Sequence, residues 1–257
     1  MEYGERELKR GCEGPDVAEL QTRLAGFRGT ASDGDFGPGT ERQVMNFQRD
    51  YVEVAETGIA DRATVQAIDE FADDYPFDFE KLKCPCNQCG GFGRGQLKGQ
   101  YHAGMPEAEA YHRYEYPGMH RMLLWAVRAV FLYLPEHRFT ISSGYRCSVD
   151  NANHNRTSTN HHGKAIDLDI VLRLGEDKRA DMNKCDAARI RIMETAGAQN
   201  GWGMSNCKAL EPSSIAPTWV HYDVRCYEPK YLKDDAFCTT LKELDDRKPI
   251  AFQVTRE

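Results

Sequence analysis

Three short stretches of this chain concentrate side chains that bind metals or move protons. They are Ser142-Ser143-Gly144-Tyr145-Arg146, Ser158-Thr159-Asn160-His161-His162-Gly163-Lys164-Ala165-Ile166-Asp167, and Trp219-Val220-His221-Tyr222-Asp223. Histidine and aspartate on neighbouring elements can make a zinc site. A catalytic zinc takes three nitrogen or oxygen ligands from the protein and keeps a fourth position for water. The bound water is acidified and becomes the nucleophile. Strand alternation adds a geometric expectation. Over 219–225, His221 and Asp223 share a face with Trp219 and Arg225, and over 165–170 Asp167 shares one with Ala165 and Asp169. One such face can carry an inward-pointing metal cluster.

The elements that must position these residues are legible in outline. Residues 5–72 predict three short helices. The first follows Gly14-Pro15-Asp16 with a stripe of Val17, Leu20, Gln21 and Leu24, and Asp16 is its expected cap. A loop rich in Gly and Asp precedes the second, Glu41 to Tyr51, where Thr40 and Gln43 suggest a capping box. Asp61 is the expected cap of a third helix bearing Val65, Ile68 and Phe71. Helices this short are marginal alone, so a small three-helix bundle is expected over residues 1–73. Residues 74–80 are the expected linker, with Pro76 interrupting the helix. Residues 81–257 form the expected second domain: a helix from about Met119 to Tyr133, strands at 138–142, 165–170 and 219–225, and a helix from Lys184 to Ala196. That mixture predicts an α+β fold with a mostly antiparallel sheet.

Composition excludes several classes. The 257 residues carry a net charge of −7, with 40% hydrophobic residues, 22 Gly and 11 Pro, as in a folded protein. No stretch approaches the roughly 20 apolar residues that span a bilayer. Residues 1–73 hold 16 acidic and 8 basic residues, against 24 and 25 in the remainder, an asymmetry expected of two modules. The acidic total argues against a nucleic-acid partner. The polar start, Met1 to Glu7, lacks a signal-peptide pattern. Nine cysteines include the cluster Cys84-Pro85-Cys86-Asn87-Gln88-Cys89. These three can take a structural metal if a fourth ligand arrives from elsewhere. They can also form disulfides with Cys147, Cys185, Cys207, Cys226 or Cys238, or stay as free thiols.

The N-terminal segment resembles peptidoglycan-binding domains. The resemblance rests on Gly14-Pro15-Asp16-Val17 with Leu20-Gln21, Asp33-Gly34-Asp35-Phe36-Gly37 with Thr40, Phe47-Gln48, and Thr57-Gly58-Ile59. The three C-terminal stretches, in their order, resemble the zinc D-Ala-D-Ala carboxypeptidase family and its relatives, the VanX dipeptidases, phage endolysin peptidases and hedgehog-type zinc fold. That resemblance spans roughly 77–227. It implies a zinc peptidase domain with His161, Asp167 and His221 as ligands. The family places its first histidine three residues before the glycine, where this chain has Asn160. His161 is therefore preferred through a one-residue deletion, with His162 and Asp169 as the alternative pair.

The resemblance also implies roles around the metal. Arg146 matches the arginine that stabilises oxyanion charge. Many relatives place a glutamate three residues before the last histidine, where this chain has Thr218. Asp223 is then the nearest carboxylate, as general base or as a group orienting a ligand. Tyr145, Ser158 and Trp202 are the expected substrate contacts. Asn151, Asn153 and His154 are expected to be loop hydrogen-bonders, and His102, His112, His120 and His137 lack ligand spacing. The expected protein is a monomeric peptidoglycan hydrolase acting at the cell wall or periplasm. It would cleave the peptide stem or cross-link as a carboxypeptidase or endopeptidase. Without a recognisable signal it would arrive by phage-type release or specialised export. The rival expectation is a wall-binding protein without catalysis.

Overall fold

The computed structural model describes residues 2–29, 32–95, 113–156, 158–195, 210–224 and 227–245. Helix α1 (Pro15–Arg23) opens with proline at its first turn, where an amide is not needed. Its cap is Gly14, and no side chain caps it. Asp16 instead accepts from Arg6 Nε at 2.7 Å and from the Val17 amide at 3.1 Å. Helix α2 (Pro38–Phe47) also starts at a proline, three residues before the expected start, and continues as a π-helical turn over Gln48–Val52. The expected capping box does not form. Thr40 donates to the Asp35 carbonyl and Gln43 to the Leu24 carbonyl. Helix α3 (Arg62–Asp74) is capped by Asp61, which accepts from the Thr64 amide at 2.8 Å.

Two buried glutamines explain why polar residues stand in apolar positions. Gln21 donates to Asp33, the Asp35 carbonyl and Thr40, and accepts from the Gly34 amide. Gln48 repeats the arrangement with Thr57, Ile59, Thr64 and the Gly58 amide. Each side-chain amide satisfies a loop that would otherwise leave polar groups unpaired inside the core.

The remainder is α+β. A four-residue helix α4 (Phe79–Leu82) leads to strand β1 (Met119–His120), which pairs antiparallel with β5 (Phe237–Cys238). Helix α5 (Arg121–Tyr133) buries all of residues 121–130 and is the central spine. Strands β2 (Phe139–Ser143), β3 (Ala165–Ile170) and β4 (Val220–Asp223) form an antiparallel sheet in the order β2-β3-β4. Between them lie α6 (Ser148–Asn153) and α7 (Lys178–Thr195). Helix α7 starts six residues before the expected Lys184, because Asp177 accepts from the Arg179 and Ala180 amides at 3.0 Å each. The chain then runs to α8 (Leu241–Asp245). Among the described residues no helix is long and apolar enough to cross a membrane.

The N-terminal helices and the sheet-bearing part share one core. Glu19 of α1 is fully buried and makes a two-pronged pair with Arg121 of α5, 2.7 Å at each oxygen, while Arg23 Nε meets it at 2.7 Å. Arg23 also donates to the Asp245 carbonyl, and Arg128 pairs with the Asp245 carboxylate. Both guanidiniums stack on Trp125. Within the expected linker, Phe77 and Phe79 are buried against this core.

Candidate metal centre

The antiparallel register does most of the positioning. Asp167 lies opposite His221 on β4 and opposite Ser143 on β2. Cross-strand neighbours point to the same side of a sheet, so Asp167 and His221 meet without help from loops. The other face of β3 carries Ile166, Leu168 and Ile170, all buried in the core. A bulge between Ile141 and Ser143 shifts the end of β2 beside the same face.

His161 reaches the sheet from a tight turn. His162 and Lys164 donate backbone bonds to Thr159 and Asn160, and Gly163 takes φ +94°, a conformation that favours glycine. The two adjacent histidines point apart. His161 Nδ1 donates to the Gly144 carbonyl at 2.6 Å, since a carbonyl only accepts, and its Nε2 lies 3.3 Å from Asp167 Oδ1. Gly144 must be glycine for a separate reason: a Cβ there would meet the Leu82 carbonyl at 2.5 Å.

Donor atoms of His161, Asp167 and His221 all lie within 4.8 Å of one another, and all three residues are buried. His221 Nδ1 is 2.8 Å from Asp167 Oδ1, and its Nε2 is 2.8 Å from Asp223 Oδ2. Burial opposes charge on His221, but the bonds to Asp167 and Asp223 outweigh it and lift the ring to about 9. Burial likewise would raise Asp167, yet His161 and His221 hold its carboxyl well below the usual range. Burial lowers His161, favouring the neutral ring that ligates metal. Two imidazoles and a carboxylate form a donor set that suits zinc.

This trio floors a cleft of about 660 Å³. Arg146 borders it, donating from Nε to Ser143 Oγ at 2.7 Å and pairing with Asp167 Oδ2 at 2.5 Å. Ser158, Thr218 and Trp219 also line the cleft. Asp223 is fully buried beneath His221 and does not line it.

Other expected residues go elsewhere. His162 is buried away from the trio, with Nε2 3.3 Å from Asn151 Nδ2, so the alternative pair is not assembled. Asp169 stands opposite Thr140 on the cleft wall, its carboxyl raised by burial despite a bond from Ser142. Tyr145 corrects the expected substrate contact: it is fully buried and donates to the Tyr116 carbonyl at 2.8 Å. A strand-to-loop residue beside a cleft-lining arginine is as readily core as cleft. Asn151 and His154 make loop hydrogen bonds to Ser158 and Asp150. Cys84, Cys86 and Cys89 gather with Cys147, whereas Cys185 and Cys238 pack separately against Asp181 and the Met119 carbonyl. Trp202, Cys207, Cys226, His102 and His112 lie outside the described residues.

Comparison with known proteins gives two matches. Residues 13–68 match the family model of a peptidoglycan binding domain. The chain is 30% identical over 167 residues to a zinc D-Ala-D-Ala carboxypeptidase of Streptomyces albus G, a match covering 63% of this chain and 60% of that protein. The chain thus spans three fifths of that relative's length. Over that stretch the chain is similar to a zinc D-Ala-D-Ala carboxypeptidase, and its N-terminal part is similar to a peptidoglycan binding domain.

The peptidoglycan-binding match takes in α1, α2 and the first half of α3. Three cleft residues were not foreseen from sequence. Arg156 is anchored by Asp150 at 3.1 Å, and Asp181 and Glu211 add carboxylates. None sits in a metal-type motif. Arg156 follows a loop of asparagine and histidine, and Glu211 stands alone, so spacing carried no signal for either.

Proposed function

We propose that this chain is a zinc-dependent peptidoglycan hydrolase that cleaves the peptide stem or its cross-link. The observation that carries the reading is the convergence of buried His161, Asp167 and His221 at a cleft bordered by Arg146. The peptidoglycan-binding match at 13–68 supports the polymer as partner and the cell wall as the place of action. Residues 1–73 would hold the polymer and 81–257 would cut it. Holding one end makes the second encounter effectively intramolecular.

Zinc held by His161, Asp167 and His221 would polarise the scissile carbonyl and supply an acidified water. The protein's own residues do the rest. The Gly144 carbonyl fixes the His161 tautomer so that Nε2 is the free donor. Asp223 fixes the plane of His221 through Nε2 and acts as a positioning residue, since its burial keeps it from substrate. Arg146, steadied by Ser143, brings a fixed cation to negative charge developing on the substrate oxygen. Asp169, Asp181 and Glu211 are the cleft carboxylates able to exchange a proton with water or with the leaving amine. Ser158 and Trp219 border the space a peptide would occupy.

A second reading, binding without cleavage, draws on Thr218, which occupies the cleft position where many relatives carry a glutamate. One experiment separates them. Purified peptidoglycan is digested with the zinc-loaded protein, with and without chelator, and products are read by mass spectrometry. Chelator-sensitive loss of terminal D-Ala supports a carboxypeptidase, and chelator-sensitive loss of cross-linked dimers an endopeptidase. Unchanged masses, with the protein still pelleting with the wall, support binding alone.

A further inference from the structure

The second cluster of metal-type side chains lies apart from the cleft's trio. Cys84, Cys86 and Cys89 come from an irregular segment that follows α4, and Cys147 comes from the start of α6. The four sulfurs lie within 4.8 Å of one another. A tetrahedral zinc with Zn–S bonds of about 2.3 Å needs sulfurs about 3.8 Å apart. Cys147 Sγ is 3.4 Å from Cys86 Sγ, far beyond the roughly 2.05 Å of a disulfide. No disulfide joins any two of these four cysteines.

Backbone amides point at three of the four sulfurs. The Cys147 amide donates to Cys84 Sγ at 3.3 Å, the Gln88 amide to Cys86 Sγ at 3.3 Å, and the Asp150 amide to Cys147 Sγ at 3.4 Å. Asn87 and Gly90 take φ +55° and +70°, folding Cys86-Asn87-Gln88-Cys89 into a tight knuckle. The Cys84 amide closes the segment onto the Gly91 carbonyl at 2.7 Å. Amide donors aimed at sulfur favour thiolate over thiol.

We propose that Cys84, Cys86, Cys89 and Cys147 form a structural zinc site that ties the segment 83–91 to the loop carrying Arg146. Arg146 immediately precedes Cys147, and its amide donates to the His161 carbonyl at 2.9 Å. The neighbouring Tyr145 amide donates to the Leu82 carbonyl at 2.7 Å. Zinc here fastens both ends of that short bridge. It takes no part in bond cleavage, and each thiol that ligates releases its proton to solvent. The site does not depend on the proposed hydrolase activity.

The test uses His221→Ala, which disables the cleft trio and leaves every cysteine in place. Native mass spectrometry and metal analysis should show that this variant retains one zinc ion per chain. Loading it with cobalt(II) instead should give the intense near-ultraviolet sulfur-to-cobalt charge-transfer bands of a tetrathiolate site. Adding Cys86→Ser and Cys147→Ser to His221→Ala should abolish both the retained zinc and the bands. If the added serines prevent folding, the cobalt spectrum of His221→Ala still decides. A His221→Ala chain that holds no metal and has all four thiols open to alkylation overturns the proposal. So does an unreduced mass lower by two hydrogens for each bridge among these cysteines. Loss of wall cleavage with the cobalt spectrum intact bears on the hydrolase reading and leaves this site standing.

Discussion

Asp167 and His221 stand directly opposite each other on neighbouring antiparallel strands, Oδ1 to Nδ1 at 2.8 Å. Their contact is a product of register. A slip of one residue would send one of the two side chains to the core face and dismantle the site.

Removing His221 tests the site most directly. His221→Ala should lose the metal held by the trio and all chelator-sensitive cleavage, while the protein still sediments with peptidoglycan. Product mass spectrometry and a pelleting assay read the two effects separately. Full activity in this variant would sink the assignment.

Asp223 should act through His221. Asp223→Asn keeps the shape but weakens the acceptor at His221 Nε2. Loss of such an outer partner typically lowers metal affinity about 10- to 100-fold. Zinc competition titrations should show that weakening, and excess zinc should restore much of the cleavage. A variant with unchanged affinity and abolished turnover would instead make Asp223 the proton carrier.

Glu19 should hold the N-terminal helices to the rest of the fold. Burial would raise its carboxyl, but the charges of Arg121 and Arg23 keep it below the usual value. Glu19→Gln leaves two buried guanidiniums with a poorer partner, and breaking such a pair costs about 3–5 kcal/mol. Urea unfolding should show a lowered midpoint. An unchanged midpoint would mean that the ion pair contributes nothing net.

His120 should make stability sensitive to mild acid. Burial lowers its ring to about 4, although Nε2 donates to the Tyr231 carbonyl at 2.9 Å. Between about 6.5 and 4 the unfolded chain binds a proton that the folded chain refuses, so stability falls as pH drops through that window. The loss from this one group is roughly 3 kcal/mol when complete. Melting temperatures from pH 7 to 4 should fall less steeply in His120→Gln than in the parent chain. Parallel curves would exclude His120 as the source.

The amino-acid order alone determined the strands at 165–170 and around 220, because alternation of apolar and polar residues fixes which side chains share a face. The family resemblance carried by the three motifs singled out His221 with His161 and Asp167, or with His162 and Asp169, as ligand candidates. Only the tertiary structure brings His161, and not His162, beside Asp167 and His221. Adjacent residues in a turn point apart, and which one meets the sheet depends on Gly163 and on the Gly144 carbonyl. The same holds for Tyr145, which a motif brings beside Arg146 but packing assigns to the core. Helix starts followed the same division. Asp61 caps α3 as its sequence suggests, while Asp16 was diverted to Arg6, a partner ten residues away. The union of Cys147 with the Cys84 cluster, and of Glu19 with Arg121, spans 63 and 102 residues of chain. Local pattern cannot record such contacts, because they are selected by how whole elements pack and not by spacing along the backbone.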